Sequence, residues 1–99
     1  MKIALDFDDT YTAMPDIWDQ FIESCKEQGH EVTIVTARAN SEVSSYNHDI
    51  RLVCKKHDIE VVYTDGKAKA LYYNADIWID DHPEWVPSKS MMEAMVRLG

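Results

Sequence analysis

The sequence predicts an α/β domain: a small, mainly parallel sheet of about four strands flanked by helices, in three layers. Three observations carry that expectation. Short apolar runs alternate with segments of helical periodicity, the pattern of βαβ units with right-handed crossovers. The first run, Ile3 to Phe7, is apolar apart from Asp6, as in a strand buried on both faces of a parallel sheet. The 99 residues, 45% hydrophobic and 28% charged, suffice for one modest core, so residues 1–99 read as a single domain.

Each element has a local reason. After the first strand, Pro15 suits the first turn of a helix, and Ile17, Trp18, Phe21, Ile22 and Cys25 recur at helical spacing until Gly29 stops it. Val32 to Val35 is the second strand. Asn40-Ser41 is a good N-cap pair for a helix with Val43, Tyr46, Ile50, Val53 and Cys54 on its apolar face. Val61 to Tyr63 is the third strand, followed by Asp65-Gly66 and a short helix through Leu71. Ala75 to Ile79 forms the fourth strand. Ser90 and Glu93 make a capping box for a last helix with Met91, Met92, Met95 and Leu98.

The unusual polar residues all fall at the carboxyl ends of predicted strands. The first strand runs into Asp6, Asp8, Asp9 and Thr10, and the fourth into Asp80-Asp81. Carboxylates this close raise one another's pKa unless a cation sits among them, and magnesium with oxygen ligands is the natural remedy. Thr36 to Arg38 and Thr64-Asp65 end the other two strands. Ligands of such sheets gather outside the carboxyl ends, near the switch in strand order, so one site explains the whole set. A phosphoryl group beside five carboxylates needs counter-charge. The cation supplies some, and the Thr36 hydroxyl with neighbouring N–H groups another part. Lys67 or Lys69, at the start of the third helix, supplies the rest. Lys67 is preferred because it directly follows Asp65-Gly66, with Lys69 as the alternative.

Through these residues the chain resembles the haloacid dehalogenase (HAD) superfamily of phosphohydrolases. The first motif is Asp6-Phe7-Asp8-Asp9-Thr10 and the second Ile34-Val35-Thr36; a lysine of Gly66-Lys67-Ala68-Lys69 serves as the third, and Ile77-Trp78-Ile79-Asp80-Asp81 as the fourth. They come in the family's order and span most of the chain. The resemblance implies a Rossmann-like, HAD-like fold and a phosphatase acting on a phosphate monoester. It makes Asp6 the nucleophile that forms an aspartyl-phosphate, and Asp8 the general acid and base. Asp6, the Asp8 carbonyl and Asp80 then hold magnesium, with Asp81 assisting directly or through water. Thr36 and the lysine bind the phosphoryl oxygens. Asp9 reads either as an outer carboxylate or as a helix-start charge. Arg38, His82, Trp85 and Tyr11 each have a role near the site as one reading and ordinary surface, loop or core packing as the other.

Members of the superfamily often insert a cap domain after the first or third strand. No connection here has room for one, so the chain reads as a minimal, capless version. An open site admits a nucleic-acid end, a nucleotide, a phosphoprotein or a phosphorylated glycan. It also admits a small ester if a neighbouring subunit of a homo-oligomer acts as the cover. The net charge of −8, from 18 acidic and 10 basic residues, weighs against long nucleic acid. Cys25 and Cys54 lack metal-ligand spacing and read as reduced thiols of a cytoplasmic protein. No apolar run approaches a membrane span, and no signal sequence precedes the first strand. Two other functions compete. A receiver-like phosphoacceptor shares the fold and an acidic pair but uses an Asp ending the third strand, here Asp65. A non-catalytic HAD-fold binding protein has no need of a repulsive acidic cluster.

Overall fold

A computed structural model describes residues 1–41 and 45–87. Its elements run β1 (Lys2–Leu5), α1 (Pro15–Glu27), β2 (Glu31–Thr36), α2 (His48–His57), β3 (Glu60–Tyr63) and β4 (Ile77–Ile79). The four strands are all parallel, in the order β3-β2-β1-β4. The chain lays β2 and then β3 to one side of β1, and returns to place β4 on the other. Strand order therefore reverses at β1, which opens a crevice between the carboxyl ends of β1 and β4. Asp6 and Asp80 are the first residues beyond those two strands.

Register explains the core. Ile3 pairs with Val32 and Leu5 with Ile34, so these four share one face of the sheet. They cluster with Ile22 of α1 and Ile50 of α2, and Trp18, Phe21, Cys25, Val53 and Cys54 pack partly buried around them. Ala4, Thr33 and Val35 point to the other face and are buried as well. The unbroken apolar run of β1 is thus the signature of a strand covered on both sides. Truncating a fully buried residue such as Leu5 to Ala costs about 2–5 kcal/mol.

Helix α1 ends as its sequence implies. Gly29 takes φ 82°, its N–H donates to the Lys26 carbonyl at 3.0 Å, and the His30 N–H donates to the Cys25 carbonyl at 2.9 Å. This is a Schellman closure, which needs the left-handed conformation that glycine adopts without strain.

Several expected boundaries move. The first strand stops at Leu5; Asp6 stays extended, held by its N–H to the Ile79 carbonyl at 2.9 Å, and Phe7–Tyr11 then forms a tight loop. Asp9 turns that loop at φ 63°. Helix α2 starts at His48 instead of after Asn40-Ser41, because the buried Asn47 side chain donates to the Ala39 carbonyl at 3.0 Å and fixes a turn there. Tyr46 consequently lies before the helix and is exposed, as is Ile17 on the outer side of α1. The third helix shrinks to a single turn, Lys69–Leu71, and the fourth strand to Ile77–Ile79. Val43 and the expected last helix with its Ser90–Glu93 capping box lie outside the described residues. No helix among the described residues is long and apolar enough to cross a membrane.

Candidate functional site

At the β1–β4 crevice lies a pocket of about 200 Å³ whose polar wall is Asp6, Asp8, Asp9, Lys69, Asp80 and Asp81. Asp6 is the centre of its bonding. One carboxylate oxygen accepts from Lys69 Nζ at 2.7 Å and the other from the Thr10 hydroxyl at 3.0 Å. Lys69 is itself buried, and its ammonium also reaches Asp80 Oδ2 at 2.5 Å. Thr10 lies 3.0 Å from Asp81 Oδ1 and accepts the Asp81 N–H at 3.2 Å. The Trp18 indole donates to the Thr10 carbonyl at 2.9 Å, which pins the loop to α1.

Electrostatics follow from this crowding. Burial pushes Asp6 up to about 6; Lys69 works against that shift, and the hydrogen bond with Asp81 adds to it. Asp81 moves the other way, held down first by its hydrogen bond with Asp6 and further by Thr10. Burial thus raises Asp6, while its neighbours lower Asp81.

A cation fits the donor set. One oxygen from each of Asp6, Asp80 and Asp81 lies within 4.8 Å of the others. Ligands of an octahedral magnesium, at 2.0–2.1 Å, stand about 3–4 Å apart, so small rotations close the site. Among the described residues the three carboxylates face a single ammonium, that of Lys69, which leaves two negative charges in excess when all are ionised. That excess is what a hard divalent ion neutralises.

Asp8 points elsewhere. Its carboxylate takes a bidentate pair from Arg38, Nη2 at 2.6 Å and Nε at 2.9 Å. Arg38 also forks onto Asp49, at 2.8 and 3.0 Å, and its guanidinium lies 5.2 Å from the Phe7 ring centre. These carboxylates, Asp8 first, hold the guanidinium firmly charged, and Arg38 in turn holds Asp49 below the usual carboxylate range. That Arg38 binds two acidic side chains could not be read from the sequence, since Asp49 is adjacent to it in the fold alone.

Placement of the other expected residues is mixed. Lys69, rather than the preferred Lys67, enters the site; Lys67 is exposed. The cause is the turn: Asp65 and Gly66 both take positive φ, 51° and 74°, while their N–H groups bond back to Arg38 and Ala37. The chain is thereby reversed, and helix geometry begins only at Lys69. Thr36 is buried, with its hydroxyl accepting the Arg38 N–H at 3.3 Å, and the pocket wall beside it is Ala37. Asp65 is exposed and does not line the pocket, which leaves the receiver-like arrangement without its phosphoacceptor. Tyr11 is buried, stacked on Phe7 and hydrogen-bonded to Asp19 at 2.6 Å, so it braces the loop instead of lining an entrance. Trp85 and His82 do stand at the rim. Burial pushes the Cys54 thiol up to about 11, which suits an inert packing residue.

Thr10 is the residue whose role the sequence reading missed. Its position four residues after Asp6, in a loop that curls back on itself, is the signal that could have found it. Compared with protein-family models, with curated proteins and with solved structures, the chain matches none of them.

Proposed function

We propose that this chain is a magnesium-dependent phosphatase, a HAD-like domain without a cap, that hydrolyses a phosphate monoester through an aspartyl-phosphate on Asp6. The observation that carries the reading is the buried Asp6, gripped by Lys69 and Thr10 at the topological switch point, with Asp80 and Asp81 beside it. A repulsive cluster held this closely destabilises the fold, and an enzyme has a use for it.

In the first step an Asp6 oxygen attacks phosphorus, the bond to the leaving oxygen breaks, and Asp8 protonates that oxygen. In the second, Asp8 takes a proton from water, the water oxygen attacks phosphorus, and inorganic phosphate and the Asp6 carboxylate are regenerated. Asp6, Asp80 and Asp81 would hold magnesium, which when bound would supply positive charge for the phosphoryl oxygens. Lys69 orients Asp6 and offers its remaining donor capacity to a phosphoryl oxygen, the part first expected of Lys67. Thr10 fixes the other Asp6 oxygen. Asp8 serves as the acid once its side chain rotates away from Arg38, which keeps Asp49 as its partner. Cytoplasmic residence accords with the two free cysteines, Cys25 and Cys54.

The test is a panel of phosphate esters with magnesium, run beside the same panel for Asp6→Asn and with chelator. Magnesium-dependent release of phosphate by the wild type, lost in Asp6→Asn, is the expected result. Full activity in Asp6→Asn refutes the assignment.

A further inference from the structure

Two larger hollows flank the acidic pocket, and they differ in chemistry. One, of about 500 Å³, is polar and lined by Arg38, Ser45, Tyr46, His48 and Asp49. The other, of about 400 Å³, is lined among the described residues by Ala37, Gly66, Ala68, Trp85 and Pro87, none of which is charged. The apolar recess shares Ala37 and Trp85 with the acidic pocket, whereas the polar hollow shares no lining residue with it. Trp85 thus borders both the acidic pocket and the apolar recess.

Trp85 is built as a platform. The residue is 55% exposed at the edge of the polar site. It stacks on the His82 ring at 4.2 Å between centres and 11° between planes. His82 is fixed in turn: its N–H donates to Asp80 Oδ1 at 2.9 Å, and its ring bonds Glu84 at 3.0 Å. The platform is therefore tied to a carboxylate of the acidic site.

Resting on the phosphatase reading, we infer that the apolar recess is the leaving-group subsite, and that the substrate is a phosphate ester whose alcohol carries a flat, uncharged aromatic ring stacked on Trp85. Among its described lining residues the recess offers a second phosphate no charged partner, and −8 of net charge repels further anions. The volume falls in the range of small-molecule sites and accommodates a fused bicyclic ring. Stacking of this kind is worth about tenfold or more in binding.

The experiment compares naphthylethyl phosphate with cyclohexylethyl phosphate on the full chain with magnesium. Both release primary alcohols of similar acidity, so a difference in kcat/KM reports the recess and not the chemistry. The expected ratio favours the flat ring by about tenfold. It falls toward unity in Trp85→Ala and is partly kept in Trp85→Phe. A ratio near unity in the wild type, or one unchanged in Trp85→Ala, overturns the inference. Binding of the product alcohol, naphthylethanol, followed by NMR on wild type, Asp6→Asn and Trp85→Ala, separates the two readings. If no ester turns over but the alcohol binds and Trp85→Ala abolishes that binding, the phosphatase reading fails and the ring site stands. If esters turn over yet the alcohol does not bind, the inference fails alone. If neither turnover nor binding occurs, both are overturned.

Discussion

Replacing Lys69 with Met removes the one ammonium between two buried carboxylates and leaves the shape nearly unchanged. The side chains of Lys69 and Asp80 are each 3% exposed and that of Asp6 is 9% exposed. Breaking a buried pair by deleting one partner costs about 3–5 kcal/mol, since the other charge stays buried and uncompensated. The loss depends on pH, and its sign follows from Asp6. In the wild type its pKa is raised by burial from 3.8 to about 6. The folded chain therefore binds this proton more tightly than the unfolded chain. The resulting stabilisation is fully present below about pH 4 and is lost as pH rises through about 6. At about 1.4 kcal/mol per pKa unit it amounts to roughly 3 kcal/mol. Without Lys69, which lowers the Asp6 pKa, the carboxyl group holds its proton to higher pH still. Lys69→Met is thus least harmful at pH 5 and most harmful at pH 8. Urea unfolding in chelator at both pH values measures this, and magnesium at pH 8 should restore part of the loss. A cost below about 1 kcal/mol at pH 8, or one that does not grow with pH, refutes the view of Lys69 as counter-ion to Asp6.

Three further outcomes follow from the site's surroundings. His57 is buried with Nε2 2.7 Å from Asp19 and Nδ1 2.5 Å from Glu23, so His57→Phe removes two charge-assisted bonds between α2 and α1 and should cost about 2–4 kcal/mol in urea unfolding. Burial raises the Asp19 pKa, but hydrogen bonds from Tyr11, Lys56 and His57 outweigh it and hold the carboxyl down to about 2. The stability it contributes is present above about pH 4 and is lost as pH falls toward 2, a loss that Asp19→Asn abolishes in acid titrations. Arg38→Gln frees Asp8 from its bidentate partner and leaves Asp49 exposed to water; kcat should change by about tenfold or more while magnesium affinity stays within about twofold. An unchanged kcat at all pH values excludes any control of Asp8 by Arg38.

How much of this was legible in the sequence depends on the range of the interaction. That Asp6 and Asp80 fall on one edge of the sheet follows from apolar runs ending in carboxylates, because parallel sheets put every such end on one edge; the order of the strands was not legible. The choice between Lys67 and Lys69 did not, since it turns on two consecutive left-handed residues, Asp65 and Gly66, one of which is not glycine. The start of α2 was hidden for a similar reason. Asn40-Ser41 has the right local chemistry for a cap, but a buried Asn47 bonded to Ala39 sets the turn through tertiary packing. Pairing of Arg38 with both Asp8 and Asp49, and the bridging by Thr10, join residues that only the fold brings together. Polar contacts of this kind have no periodicity to read.

The most direct test of the central claim is to trap the covalent enzyme. The full chain is mixed with a phosphate ester and magnesium, quenched in acid within the first turnovers, digested, and the peptides sequenced by mass spectrometry. A single phosphoryl group on Asp6, absent from Asp6→Asn, is the predicted result. Label on Asp8, Asp65 or any other residue, or turnover with no labelled peptide at all, contradicts the account.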